Sequence, residues 1–187
     1  VGEEMAFTLE NHGFPPDEIR RRSKEALSKV HLDGLEERKV STLSGGQCQR
    51  LVVAAVLAEE PEVLVFDEPT SALDPEGIRE FYEMVGELNR KEGLTVIVAE
   101  HHLEAALPYA KKFVLMNQGK IISQGTPEEV MRAMKQNHIY EEAIPDMYRA
   151  QLTLEDQGIS FEKPFLNIKD AQQSVMDSFE KGEGKHA

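Results

Sequence analysis

Apolar residues in the middle of this chain occur either in short continuous runs or at helical spacing. Residues 63–66 and 94–99 form mainly apolar runs, each long enough for a buried strand. Between them, Asp74 followed by Pro75 predicts the start of a helix, which is expected to end at Gly93. Strands that are apolar throughout and alternate with helices are typical of a parallel α/β sheet.

Helices are also predicted before the first of these strands. Residues 17–30 form one helical pattern, with Asp17 as the candidate N-terminal cap. Residues 51–58 form a second, almost wholly apolar helix that Pro61 ends. Arginines at positions 20–22 and Lys24 give the first helix a basic patch, which is typical of a solvated face and otherwise of a partner contact.

After the second strand, the pattern predicts a short helix to about Ala110 and then a hairpin. The hairpin strands are residues 113–116 and 120–123, and Thr126 opens a further helix with a capping box. Beyond residue 136 the chain becomes more polar. Two amphipathic helices are predicted there, near 146–157 and 168–179, and a frayed tail at 182–187.

Composition and charge exclude several classes of protein. The 187 residues are 40% hydrophobic and 29% charged, which allows a buried core, and no apolar run approaches the roughly 20 residues of a membrane-spanning helix. The net charge of -13 makes a nucleic-acid partner unexpected, because an acidic chain repels phosphate backbones. The single cysteine, Cys48, excludes a disulfide framework and fits a reducing cytosol.

Two adjacent carboxylates, Asp67 and Glu68, follow the first predicted strand. Keeping such ions out of water costs several kcal/mol each, and a cation such as Mg²⁺ with nucleotide phosphate oxygens would offset that cost. Alternation of side chains along a strand would then give the two carboxylates separate tasks, one at the metal and one at an attacking water. A helix cap or a solvated acidic turn explains the same pair without any ligand.

Two further features are typical of phosphate chemistry. Ser44, Gly45 and Gly46 precede the apolar helix, where backbone N–H groups and the helix dipole attract an anion, although a plain serine cap explains them equally well. His101 ends the second strand, at the edge of a parallel sheet where ligands bind, and would either donate to a phosphate oxygen or be structural. His102 is expected at the surface, and Cys48 is expected to be a helix residue and not a nucleophile.

Taken together, these features resemble the nucleotide-binding subunit of ABC transporters. Residues 43–47 match the family signature L-S-G-G-Q letter for letter, and 63–68 resemble its Walker B strand. Residues 71–74, Ser-Ala-Leu-Asp, match its D-loop, and 96–101 are similar to its switch-histidine strand. The similarity extends through the hairpin to about residue 130.

The resemblance implies a P-loop NTPase (RecA-like) fold with an incomplete parallel-sheet core. It also implies a helical subdomain at 1–60 that ends in the signature helix, a core portion at 61–136, and a C-terminal helical extension at 137–187. The implied nucleotide-binding residues are Ser44, Gly45, Gly46, Gln47 and Asp74. By the same resemblance, Asp67 orders Mg²⁺ through water, Glu68 polarises the attacking water, and His101 touches the γ-phosphate.

A narrower resemblance concerns residues 1–13, 99–104 and 144–158. These segments are similar to ATPases of energy-coupling-factor and cobalt/nickel-type importers, which implies uptake of a vitamin or a metal ion. ATP and Mg²⁺, a second nucleotide-binding subunit arranged head to tail, and an integral membrane transport subunit are then expected. The expected location is peripheral, on the cytoplasmic face of the cell membrane.

The phosphate-binding loop G-x-x-x-x-G-K-[ST] does not occur in the 187 residues, since neither Gly-Lys pair, at 119–120 or 184–185, fits it. The sequence is therefore expected to be the C-terminal portion of an ATPase subunit and to be inactive alone. The alternative is a binding module without a P-loop that lends its signature to a partner ATPase. A repair or translation ATPase is disfavoured, because heptad arms and zinc cysteines are missing.

Overall fold

The structure, a computed structural model, describes residues 1–161, 164–165 and 168–183. The chain divides into a first unit, Val1–Glu100, and a second unit, His101–Ala187. The first unit contains, in order, α1 (Gly2–Asn11), α2 (Pro16–Lys29), α3 (Gly45–Leu57), β1 (Val63–Asp67), α4 (Pro75–Lys91) and β2 (Thr95–Ala99). The second contains α5 (Leu103–Ala106), β3 (Phe113–Asn117), β4 (Lys120–Gly125), α6 (Pro127–Asn137), α7 (Asp146–Asp156) and α8 (Ile168–Glu183).

The two apolar runs pair as parallel strands, which confirms the α/β prediction. β1 and β2 are in register from Val63 opposite Thr95 to Asp67 opposite Ala99. One face of this pair packs on α4, where the rings of Phe66 and Phe81 meet edge to face with centroids 5.3 Å apart.

The other face of the strand pair differs from the sequence prediction. Continuous apolar runs predict burial on both faces, yet Val65 is 70% exposed and Ile97 is 53% exposed. The reason is that α4 packs on one side of the pair, and the described part of the first unit leaves Val65 and Ile97 open.

The N-terminal region corrects two details of the prediction. Helix α1, which the sequence pattern does not predict, buries only Met5 and Leu9, one turn apart, so its apolar stripe is narrow. Asp17 is not the cap of α2: the helix begins at Pro16, with Pro15 in the cap position. The Asp17 carboxylate instead accepts a hydrogen bond from Arg20 at 2.9 Å.

The arginines of α2 are paired with acidic residues and do not form an open basic surface. Arg21 donates to Glu18 at 2.7 Å and to Glu25 at 2.9 Å, and Arg22 donates to Glu18 at 2.7 Å. These hydrogen bonds lower the pKa of the Glu18 carboxyl. The Arg22 guanidinium also lies 4.5 Å from the centroid of the Phe14 ring.

The second unit has its own core. β3 and β4 pair antiparallel, as predicted, with an irregular register between Leu115 and Met116. Helix α5 ends at Ala106, earlier than predicted, and α8 runs to Glu183, where fraying was predicted from 182. Residues 184–187 of the predicted tail lie outside the described residues. The core side chains are Leu107, Leu115, Val130, Met131, Met134, Ile144, Tyr148 and Leu152.

The predicted capping box of α6 is present. Thr126 Oγ1 accepts from the N–H of Glu129 at 3.2 Å, and Glu129 Oε2 accepts from the N–H of Thr126 at 2.8 Å. Both N–H groups at this helix start are therefore satisfied by side chains.

Gly125→Ala is expected to lower the free energy of unfolding by about 1 kcal/mol, the value of a helix cap. A Cβ at position 125 would overlap Glu129 Oε2, so the carboxylate must leave the N–H of Thr126. Urea unfolding followed by circular dichroism measures the change. Glu129→Ala should lower the free energy of unfolding by a similar amount. The double variant should lose no more than either single variant, because each variant removes the hydrogen bond from the N–H of Thr126 to the Glu129 carboxylate. A Gly125→Ala protein as stable as the wild type would contradict this reasoning.

Candidate functional site

The signature turn lies at the N-terminus of α3 and is held by a reciprocal capping box. Ser44 Oγ accepts from the N–H of Gln47 at 3.2 Å, and Gln47 Oε1 accepts from the N–H of Ser44 at 3.1 Å. The Gln47 side chain thus braces the turn. The N–H groups of Gly45 and Gly46 belong to the first helical turn, which has no intrahelical acceptor for them.

Space around the two signature glycines is open. A Cβ built on Gly45 or Gly46 meets no atom of the surrounding protein within 4 Å. Neither glycine has a positive φ, so backbone conformation does not require glycine at either position. The absence of a side chain at both positions lets an anion come close to the backbone at this helix N-terminus.

The acidic pair lies where β1 turns out of the sheet. Asp67 is the last residue of β1, and Glu68 has a φ of 44°, in the left-handed region that non-glycine residues seldom adopt. The N–H of Glu68 donates to the carbonyl of Ala99 at 2.9 Å. Glu68 therefore lies outside the extended strand, and strand alternation ends at Asp67. The separate tasks of the two carboxylates stay a prediction.

The turn after Glu68 leads directly to the cap of α4. Ser71 N–H donates to the carbonyl of Glu68 at 3.3 Å, and Leu73 N–H donates to that of Thr70 at 3.1 Å. Asp74 Oδ1 then accepts from the N–H of Gly77 at 2.7 Å, which confirms Asp74 as the start of the helix. Its position fixes the D-loop against the first turn of α4.

Helices α3 and α4 bring the signature and the D-loop together. Arg50 Nη2 of α3 lies 3.4 Å from Glu80 Oε2 of α4. A cleft between these helices is lined by Gly46 of the signature and by Leu73 and Gly77, which flank Asp74. Gly46 of the signature and Leu73 of the D-loop, which belong to two separate sequence motifs, therefore line the same cleft.

Two residues next to the acidic pair were not predicted from the sequence. Thr70 Oγ1 donates to Glu100 Oε1 at 2.7 Å, joining the turn after β1 to the end of β2. Burial, with Glu100 nearby, raises the pKa of the Tyr82 hydroxyl on α4. The signals available in the sequence were the threonine after Asp67-Glu68-Pro69 and the glutamate just before His101.

The two histidines begin the second unit. His101 and His102 are both exposed and follow Glu100 directly along the chain. This confirms the surface prediction for His102. Cys48 lies inside α3, as predicted.

The chemistry of the acidic turn fits Mg²⁺ as an ion held mainly by water and phosphate. Among the described residues, no group of three or more His, Cys, Asp or Glu side chains is arranged to hold a metal. Mg²⁺ typically keeps several waters and takes one or two carboxylates plus phosphate oxygens. Asp67, exposed at the end of β1, suits that arrangement.

None of the helices that the structure describes combines the length and the apolarity needed to span a membrane.

Comparison with known proteins gives consistent matches. The sequence pattern of the ABC transporter family matches residues 2–71. Energy-coupling factor transporter ATP-binding protein EcfA1 of Clostridium novyi is 38% identical over 168 residues, covering 90% of this chain and 60% of that protein. EcfA2 of Bacillus cereus is 38% identical over 184 residues, covering 97% of this chain and 63% of that protein.

Solved structures agree. The chain matches cbiO1 from Clostridium perfringens, part of the ABC transporter complex cbiONQ, with a TM-score of 0.62 and 35% identity. That match covers 71% of this chain and 55% of the other. MJ1267, an ATP-binding cassette of an ABC transporter in its ADP conformation, matches with a TM-score of 0.62 and 27% identity, over 71% of this chain and 52% of the other.

The comparisons point to one class of protein: the pattern that matches residues 2–71 is that of the ABC transporter family, and the chain is similar in sequence and fold to ATP-binding proteins of that family. Within that family, the chain is similar to ATP-binding proteins of energy-coupling factor transporters, EcfA1 and EcfA2. The predicted resemblance and the predicted fold class are confirmed. The chain spans 60% to 63% of the length of these curated relatives.

Proposed function

We propose that the protein hydrolyses ATP to power an importer of the energy-coupling-factor type. The observation that carries this proposal is the signature turn itself, in which Gly45 and Gly46 form the first residues of α3 and the space that a Cβ would occupy at each is open. The signature turn comes before an acidic pair at the end of a parallel strand. In this proposal the turn has the task of binding phosphate and the acidic pair has the task of hydrolysis.

Each residue has a distinct task in this proposal. Ser44, Gly45 and Gly46 donate hydrogen bonds to the γ-phosphate of a nucleotide held by a second subunit, and Gln47 holds their turn in shape. Asp74 couples the two nucleotide sites, and His101 donates to the γ-phosphate in its own subunit. Catalysis of this kind depends on positioning and on stabilising charge at the transferred phosphoryl group.

The acidic turn supplies the hydrolytic part. Asp67 would hold Mg²⁺ through water, and bound Mg²⁺ neutralises charge on the phosphate oxygens. Glu68 accepts a hydrogen bond from the attacking water and so orients its oxygen toward phosphorus. The backbone of Glu68 is left-handed and its N–H is bonded to Ala99, so Glu68 has a different backbone conformation from Asp67, which ends the strand.

The names of the relatives support the proposed partners. EcfA1 and EcfA2 are transporter ATP-binding proteins, and cbiO1 is part of an ABC transporter complex. We propose that this protein acts at the cytoplasmic face of the membrane. Its partners are a second nucleotide-binding subunit, arranged head to tail, and an integral membrane subunit that takes up a vitamin or a metal ion.

Hydrolysis of ATP by the full-length protein with Mg²⁺ tests the proposal directly. Release of phosphate that requires Mg²⁺ and increases when the membrane subunits are present is the expected result. A full-length protein that binds ATP without releasing phosphate, with or without its membrane subunits, would overturn the proposed activity.

Gly46→Ala is expected to lower ATP hydrolysis at least about tenfold, since one lost phosphate donor costs roughly 10²–10³ in comparable sites. The added methyl group would stand between the N–H groups and the phosphate. Stability should not fall, because the new Cβ meets nothing within 4 Å. Phosphate release and the urea midpoint are measured together.

Ser41→Ala serves as the matched control for Gly46→Ala, because Ser41 is exposed just before the signature. Its activity and its urea midpoint should both equal those of the wild type. If Gly46→Ala retains full activity, the signature glycines do not contact phosphate.

A further inference from the structure

The end of β2 is tied to the turn after β1 by two hydrogen bonds. The N–H of Glu68 donates to the carbonyl of Ala99 at 2.9 Å, and Thr70 Oγ1 donates to Glu100 Oε1 at 2.7 Å. Thr70 is only 2% exposed, so water hardly competes for its bond. Together the bonds fix the turn that carries Asp67 and Glu68 against the last residues before His101.

One carboxylate oxygen of Glu100 lies in an unfavourable environment. Its Oε2 atom is buried and has no hydrogen-bond partner in the described part of the chain. A buried oxygen without a partner is unfavourable, so packing alone does not account for a glutamate here. The same carboxylate lies near Tyr82. Burial, and next the charge of Glu100, raise the pKa of the Tyr82 hydroxyl.

The location of this bond relative to the proposed machinery is specific. Thr70 lies two residues after Glu68 in a turn whose backbone bonds begin at the Glu68 carbonyl. The Thr70–Glu100 pair therefore acts directly on the turn that carries Glu68.

We propose that Glu100 is a positioning residue that acts through Thr70 to hold the turn of Glu68 in place for hydrolysis. This inference rests on the proposed function, because Glu68 has its role in that reaction. Glu100 itself does not touch the nucleotide. Displacement of a catalytic group by about 1 Å can cost up to roughly 10²-fold in rate, which gives a bond of this kind a measurable effect.

Thr70→Val and Thr70→Ser in the full-length protein separate the hydroxyl from the shape of the side chain. Thr70→Val should lower kcat for ATP hydrolysis about tenfold and leave the KM for ATP within about twofold, since positioning and not ground-state binding is lost. Thr70→Ser keeps the donor and should stay within about threefold of the wild type. Equal kcat values for the two variants would overturn the inference.

Glu100→Met tests the other partner of the bond. Methionine has a similar length and no carboxylate, so Glu100→Met should also lower kcat about tenfold. The double variant with Thr70→Val should be no slower than either single variant, because both remove one interaction. A loss of about a hundredfold in the double variant would mean independent effects and would overturn the inference.

Amide hydrogen exchange gives a readout that does not depend on activity. Thr70→Val should lower protection of the Glu68 N–H about tenfold relative to Thr70→Ser, while the N–H of Cys48 in α3 stays unchanged. Unchanged protection at Glu68 would overturn the inference. A wild-type protein without hydrolysis defeats the proposed function itself, whereas an active wild type with equal Thr70 variants defeats only the role of Glu100.

Discussion

Glu68→Gln is expected to reduce ATP hydrolysis by the full-length protein at least about a hundredfold, because a general base contributes roughly 10²–10⁴ to the rate. Glutamine has the same shape but cannot accept a proton from the attacking water. ATP binding should be retained, since the signature turn and Asp67 are untouched. Single-turnover phosphate release and equilibrium binding of labelled ATP measure the two effects separately.

Glu62→Gln is the matched control for this experiment. Glu62 is an exposed glutamate that directly precedes β1, at the opposite end of the strand from Glu68. The same chemical change there should leave turnover as in the wild type. Unchanged turnover in Glu68→Gln would show that another group activates the water, and weakened ATP binding would show that Glu68 acts in binding.

Phe81→Ala is expected to cost about 3–5 kcal/mol of unfolding free energy, the usual range for truncating a buried aromatic ring. Phe81 is 2% exposed and meets the Phe66 ring edge to face at 5.3 Å and the Tyr82 ring at 5.5 Å. Its removal leaves a cavity between β1 and α4. Urea unfolding of the wild type and the variant gives the difference.

Two variants make the Phe81 result specific. Phe7→Ala truncates the same side chain at a position that is 65% exposed, and should change stability by less than about 0.5 kcal/mol. Phe81→Leu keeps most of the buried volume and should cost clearly less than Phe81→Ala. Equal losses for Phe7→Ala and Phe81→Ala would mean that the β1–α4 core does not hold the first unit together.

The parts of the fold that the sequence predicts well are those governed by local chemistry. Asp74-Pro75 and Thr126-Pro127 each begin a helix because a side-chain oxygen satisfies N–H groups within three residues. The parallel pairing of β1 and β2 was also predictable, because an apolar run, a helix and a second apolar run in sequence are typical of two parallel strands joined by a helical crossover. The caps depend on residues within three positions, and the strand pairing depends only on the order of the elements along the chain.

Features that depend on distant residues were not predictable from pattern. The bond between Thr70 and Glu100 joins residues 30 positions apart, and no periodicity indicates it. The left-handed backbone at Glu68 likewise follows from pairing with Ala99 and not from a glycine in the sequence. The exposure of Val65 was missed because an apolar run indicates burial without saying what covers each face.

For the candidate site, the sequence predicts at which ends of helices and strands the residues lie, but not which hydrogen bonds fix each of them. The ordered motifs predicted the signature serine and glycines, the acidic pair and Asp74, and the structure places them on α3, at the end of β1 and at the start of α4. It did not predict that the Gln47 side chain is engaged with Ser44. The nucleotide-contact role of Gln47 and the three-part domain division stay predictions.

Under the proposed role of Glu68 in hydrolysis, the residue that best stabilises the left-handed backbone at position 68 differs from the residue that activity requires. A non-glycine residue held there costs on the order of 1 kcal/mol, and glycine or asparagine would adopt the same conformation more cheaply. Selection for folding alone would therefore drive glutamate out of this position. Glutamate persists there only while the reaction is under selection, so gene copies released from the need to hydrolyse ATP should lose this carboxylate early, while still keeping the fold.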